Sequence, residues 1–109
     1  MADRLMVTKN NITNTTGAAF LDGVSGDSQT VISIILCEIG GNDETFDITH
    51  TTAGEGTPRY IYKSQSLPAN ATFEHTSKIV VDDTDEIWVS LSTGTGSVDV
   101  ILSYLQQDD

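Results

Sequence analysis

A chain of 109 residues is one domain with room for a single modest core. Its 16 acidic and 5 basic residues give a net charge of −11, and Arg4, Lys9, Arg59, Lys63 and Lys78 stand singly rather than in clusters. Phosphate backbones and anionic membranes are held by concentrated Lys and Arg, so neither nucleic acid nor a membrane surface is an expected partner.

No stretch repeats apolar residues at helical spacing, and strand signals alternate with turn residues throughout. Residues 4–9 read as a first strand, and the polar NNITNTTG after them as a loop or extended arm. Residues 1–16 are therefore expected to form an N-terminal strand or arm, and residues 17–109 a single sandwich domain. Residues 18–21 suggest a short strand, followed by a Gly/Ser/Asp turn over 22–28. QTVISIILCEI, residues 29–39, is the strongest central strand. Strict alternation puts Val31, Ser33, Ile35, Cys37 and Ile39 on one face and Ile32, Ile34 and Leu36 on the other. A strand apolar on both faces needs cover on both, by a second sheet, a crossing loop or a partner subunit.

GGND turns the chain into residues 44–51, where Phe46, Ile48 and His50 alternate with Asp47 and Thr49. TAGEGTP reads as a flexible loop, and RYIYKSQ as a strand with Tyr60 and Tyr62 on a shared face. A corner at Leu67 and Pro68 precedes a short strand over 71–74. The ending is clearest. Residues 78–81 form a strand, DDTD turns, and Ile87, Val89 and Leu91 alternate with Trp88 and Ser90. After STGTG, Val98, Val100, Leu102 and Tyr104 face a core while Asp99 and Ser103 face out, and the terminal QQDD reads as frayed. Eight or nine short strands at this spacing predict an all-β fold, an antiparallel, jelly-roll-like β-sandwich.

Candidate chemistry is sparse. His50 and His75 are isolated, and His50 continues the core-side phase of Phe46 and Ile48. Asp82, Asp83, Asp85 and Glu86 concentrate carboxylates, but their spacing lacks the glycine of a calcium loop and suits a solvated, self-repelling turn. Cys37 lies in the most apolar run and reads as a small buried hydrophobe. Neither a metal site nor a cofactor is expected. No nucleophile elbow, P-loop or zinc-protease motif occurs, so no enzyme activity is expected. Asn11, Asn14 and Asn70 begin glycosylation-type triplets, which an Asn- and Thr-rich strand protein produces by composition. Trp88, Tyr60 and Tyr62 suit a subunit interface, core packing or sugar stacking, with the interface favoured because Trp88 is out of phase with its apolar neighbours.

Residues 67–105 carry a resemblance. LPAN at a corner, KIVV, an acidic turn, IWVSLS and a last strand SVDVILSYL resemble small β-sandwich virion proteins of tailed bacteriophages, of the capsid decoration or cement type. The resemblance implies a structural protein of the outer capsid surface, made in the host cytoplasm, that trimerises and stabilises the shell by bridging copies of the major capsid protein. A neck or tail position and a carbohydrate-binding module are the alternatives. On this reading Trp88, Tyr60, Tyr62, Ile32, Ile34 and Leu36 build the oligomer. Arg4, Leu5, Met6, Val7 and Ile12 lie on an arm that stays loose until it docks on the capsid. Removing residues 1–16 is then expected to leave a folded oligomer that binds shells poorly.

Overall fold

The computed structural model describes residues 3–52 and 58–107. Most of the loop read over TAGEGTP, and the last two residues, lie outside these. Nine strands follow in chain order: β1 (Asp3–Ile12), β2 (Ala18–Asp22), β3 (Ser28–Glu38), β4 (Glu44–Thr51), β5 (Pro58–Leu67), β6 (Thr72–His75), β7 (Ile79–Asp82), β8 (Glu86–Leu91) and β9 (Val98–Gln107). All pairings are antiparallel. One sheet runs β1-β9-β3-β6, with β7 also on β3, and the other runs β2-β8-β4-β5.

The sequence of crossings identifies the topology. With β6 and β7 taken as one interrupted strand, every connection passes from one sheet to the other except the β4–β5 link. Two four-strand layers joined in this way form an eight-stranded jelly roll. Gly17, at the entry to β2, has φ of 69°, and a Cβ there would lie 2.0 Å from the Val89 carbonyl oxygen. The close approach of this turn to β8 therefore requires glycine.

The core lies between the layers and draws on both. Val31, Ile34, Leu36, Val98, Val100 and Leu102 come from the first sheet, and Phe46, Ile48, Ile87 and Val89 from the second. The alternation expected for β8 and β9 is observed, because each strand has one face on the core and one face out.

Strand β3 departs from strict alternation. Its register with β9 shifts between Val31 and Ser33, which inserts Ile32 as an extra residue. The inward set is therefore Gln29, Val31, Ile34, Leu36 and Glu38, and Val31 does not share a face with Ile35 and Cys37. Ile34 and Leu36 are fully buried inside the sandwich, so they have no surface to give a partner subunit, whereas Ile32 is exposed. Cys37 is only partly buried, on the outward face between Asp99 and Thr72.

Three other expectations change. Residues 3–12 are not a loose arm: β1 pairs with β9 at ten consecutive positions, from Asp3 opposite Gln107 to Ile12 opposite Val98. Gln106 and Gln107 are not frayed; they belong to β9, and the buried Gln106 donates to Asp27 Oδ2 at 3.2 Å. Tyr60 and Tyr62 do not share a face, because β4–β5 pairing shifts twice, between Phe46 and Ile48 and between Ile48 and Thr49.

Candidate interaction surface

The outward face of the first sheet can be read row by row from its register. Leu5 on β1 stands beside Leu105 on β9, then Thr30 on β3, then Val80 on β7. Val7 stands beside Ser103 and Ser33, and Lys9 beside Ile101, Ile35 and Glu74. Leu5 is 78% exposed, Val80 62% and Val7 57%. Ile32 and Ile101 are also exposed, and Ile35 and Leu105 are half-buried. A chain with 16 acidic residues thus exposes several apolar side chains on one broad face, around the polar Ser103, Ser33 and Thr30. Exposed apolar side chains grouped on one face suit a contact with protein better than one with water.

The N-terminal half of β1 adds to that face. Only Ile12 of the strand is buried, and Leu5, Met6 and Val7 are all exposed. The strand is held by its backbone ladder to β9 and very little by side-chain burial. Of the five residues assigned to a capsid-contacting arm, Arg4, Leu5, Met6 and Val7 are accessible, and Ile12 is a core residue.

The second sheet presents a different outer surface. Trp88 faces out, paired with Ala19 on one side and Thr49 on the other, and Thr49 pairs in turn with Tyr60. The Trp88 indole N–H donates to Glu86 Oε1 at 3.1 Å. Lys63 Nζ sits 4.4 Å from the centre of the Tyr60 ring, a cation–π contact. Thr45, Asp47, Thr51 and Ser90 complete a polar face.

Tyr62 turns inward instead. Its hydroxyl lies 2.8 Å from His75 Nδ1, linking β5 of one sheet to β6 of the other. His75 Nε2 lies 2.7 Å from the Ser77 carbonyl, which can only accept, so Nε2 carries a proton. Phe73 packs 5.0 Å from both Phe46 and Tyr62, each edge to face. These aromatics close the β5/β6 side of the sandwich. His50 also joins the sheets: its Nε2 donates to the Val80 carbonyl at 3.1 Å and lies 3.9 Å from Asp85 Oδ2.

The acidic turn after β7 is tied into the fold. Asp83, at φ of 55°, accepts from the Gly26 amide at 2.9 Å, and its own amide donates to the Asp27 carbonyl. Among the described residues, no three or more His, Cys, Asp or Glu side chains converge as a metal site would require. A shallow cavity of about 310 Å³ is lined by Asp43, Glu44, Thr45, Ser66, Pro68 and Thr93. In it the buried Glu44 accepts from Thr93 Oγ1 at 2.8 Å.

Glu38 is a structural residue that sequence alternation hides. It is 1% exposed, and its carboxylate accepts from the amides of Asn70, Gly40 and Gly41 at 2.9, 2.8 and 2.9 Å. The Asn70 amide holds its carboxyl below the usual value; burial opposes this, and the turn amides of Gly40 and Gly41 add to it. A lowered carboxyl contributes stability that is present above its unfolded pKa and is lost as pH falls through the folded one. Glu38→Gln is therefore expected to melt below the wild type at pH 7, with the gap closing toward pH 3. A gap of constant size in paired thermal melts would refute the charge dependence. The sequence signal was an acidic residue two positions before Gly-Gly, in phase with Ile34 and Leu36 but on a strand apolar on both faces.

No protein-family model matches the chain, and no curated protein matches its sequence. Solved structures do resemble it. The NLP core of Drosophila, described for pentamer formation and histone binding, is 16% identical with a TM-score of 0.62 over 97% of this chain and 100% of that one. A Bacillus endospore appendage, from a family of disulfide-linked pili, is 13% identical with a TM-score of 0.59 over 97% and 88%. A capsid structure of the Helicobacter pylori bacteriophage KHP30 is 14% identical with a TM-score of 0.54 over 96% and 92%. At these identities the likeness is one of fold alone, a β-sandwich.

Proposed function

We propose that this chain is a non-enzymatic virion structural protein, a capsid decoration (cement) protein of the outer shell surface. The observation that carries the reading is the apolar outer face of the first sheet, centred on Leu5, Val7, Val80 and Ile101, in a chain of net charge −11. Such a face suits a large protein surface, and the tailed-phage texture of residues 67–105 points to a capsid as that surface. The fold-level likeness to a phage capsid structure supports the same reading. In this reading the partners are the major capsid protein and the chain itself, as a homotrimer. Trp88 and Tyr60 on the second sheet, and Ile32 on the first, are then the residues available for subunit contact.

The mechanism is linkage. A ligand that binds only the assembled shell stabilises it by RT ln(1 + [L]/Kd), about 2.7 kcal/mol per site when free protein exceeds Kd a hundredfold. Shells lacking the protein, supplied with purified chain, are expected to bind it saturably, on the order of hundreds of copies per particle, and to rupture at higher temperature. Val80→Asp should weaken that binding while leaving the melting of the free protein unchanged. Saturation at about six or twelve copies would assign the chain to a neck or tail instead. The sugar-stacking alternative is weakened by the structure, since Lys63 covers the Tyr60 ring and Tyr62 faces inward.

A further inference from the structure

The sandwich has four sheet edges, and they are protected unequally. β2 is five residues long and irregular between Ala19 and Leu21. β5 has two register shifts, begins with Pro58, and carries Arg59 and Lys63 with Ser64 at φ of 51°. β6 and β7 are two separate four-residue pieces. Short strands, irregularities, proline and charge are the devices that stop an edge from pairing with another chain. β1 also carries charge, at Asp3, Arg4 and Lys9, but it has no proline and no irregularity: ten residues in unbroken register with β9, its other edge paired with no described strand.

We infer that β1 pairs antiparallel with β1 of a second copy about a two-fold axis through Met6, joining the first sheets of two protomers into one continuous sheet. The sequence of the strand selects this register. An axis perpendicular to the sheet keeps outward residues opposite outward residues. Centring it on Met6 sets Asp3 against Lys9 of the other copy and Leu5 against Val7, each occurring twice by symmetry. Opposite charges and apolar pairs facing each other across strands are favourable. A two-residue slip one way puts Leu5 against Lys9, and the other way puts Asp3 against Val7, so only the central register satisfies both pairs. The pairing also covers the exposed Leu5, Met6 and Val7 and runs the row Val80, Thr30, Leu105, Leu5 into the neighbour's Val7.

This two-fold contact is separate from the trimer contact proposed through the second sheet, does not depend on the virion reading, and its test needs no capsid. In a Cys37→Ser background, purified Leu5→Cys and Val7→Cys variants are oxidised separately and mixed. Opposed strand residues lie within disulfide reach, whereas the diagonal same-residue pairs lie beyond it. A covalent dimer is expected in the mixture and not in either variant alone. No dimer in the mixture, or equal dimer in the single variants, overturns the register. Sedimentation gives a second reading on the unlinked protein. Lys9→Asp is expected to raise the dimer dissociation constant about tenfold, since two facing pairs turn repulsive, and the double variant Asp3→Lys/Lys9→Asp should restore it. A monomer throughout, or an assembly indifferent to these charges, also overturns it. Both sites are exposed surface, so the substitutions leave the fold intact.

Discussion

Removing residues 1–16 is expected to abolish the folded state, whereas removing residues 1–7 leaves it standing. The difference follows from where the segment is buried. Up to Val7 every described side chain of β1 is exposed, and the strand contributes little beyond its ladder to β9. Ile12 is 3% exposed and packs in the core, and its loss leaves a cavity worth about 2–5 kcal/mol. The same cut removes the Asn14 carbonyl that accepts the Leu91 amide and the Thr13 carbonyl that accepts the Gly96 amide. Each backbone group stranded in this way costs about 1–3 kcal/mol. Together these approach the whole stability of an ordinary domain, about 5–15 kcal/mol. Circular dichroism of the two truncated chains decides the matter. A cooperative melt of the 17–109 chain near the wild-type temperature would sink the expectation.

Phe46→Ala is the point substitution expected to do most damage. Phe46 is fully buried and touches Phe73 at 5.0 Å and Tyr62 at 6.2 Å between ring centres. Emptying that place removes a large apolar side chain and leaves a void, at a cost of about 3–5 kcal/mol. In a domain of this size the melting temperature should fall by roughly 15–25 °C. Phe46→Leu keeps most of the volume and should lose much less. A chemical-denaturation loss under about 1 kcal/mol for Phe46→Ala would show that the neighbouring rings collapse into the space.

The parts of this fold that the sequence displays are those where one physical demand acts alone. β8 and the first half of β9 alternate cleanly because one face meets the core and the other meets water. β3 misleads because its outward side is apolar as well, so Ile32, Ile35 and Cys37 look no different from Val31, Ile34 and Leu36. A single inserted residue at Ile32 then exchanges the faces without leaving any compositional mark. The split between Tyr60 and Tyr62 has the same cause on β5. The pairing of β1 with β9 is invisible for another reason: it joins residues about as far apart as the chain allows, and no local pattern encodes a distant partner. The candidate surface was legible as a surplus of apolar residues needing cover, while which residues supplied it depended on register.

That terminal pairing also governs the order in which the protein can be made. Asp3 meets Gln107 across 104 positions, and Gln107 donates to its carboxylate at 3.5 Å. During synthesis the first strand waits, unpaired, until the last has left the ribosome. Contacts so distant in sequence put the chain among the slow-folding topologies, those of milliseconds to seconds. Through that interval β1 keeps both of its backbone edges unpaired, where the finished sandwich leaves one, which makes the nascent chain the form most in need of chaperones.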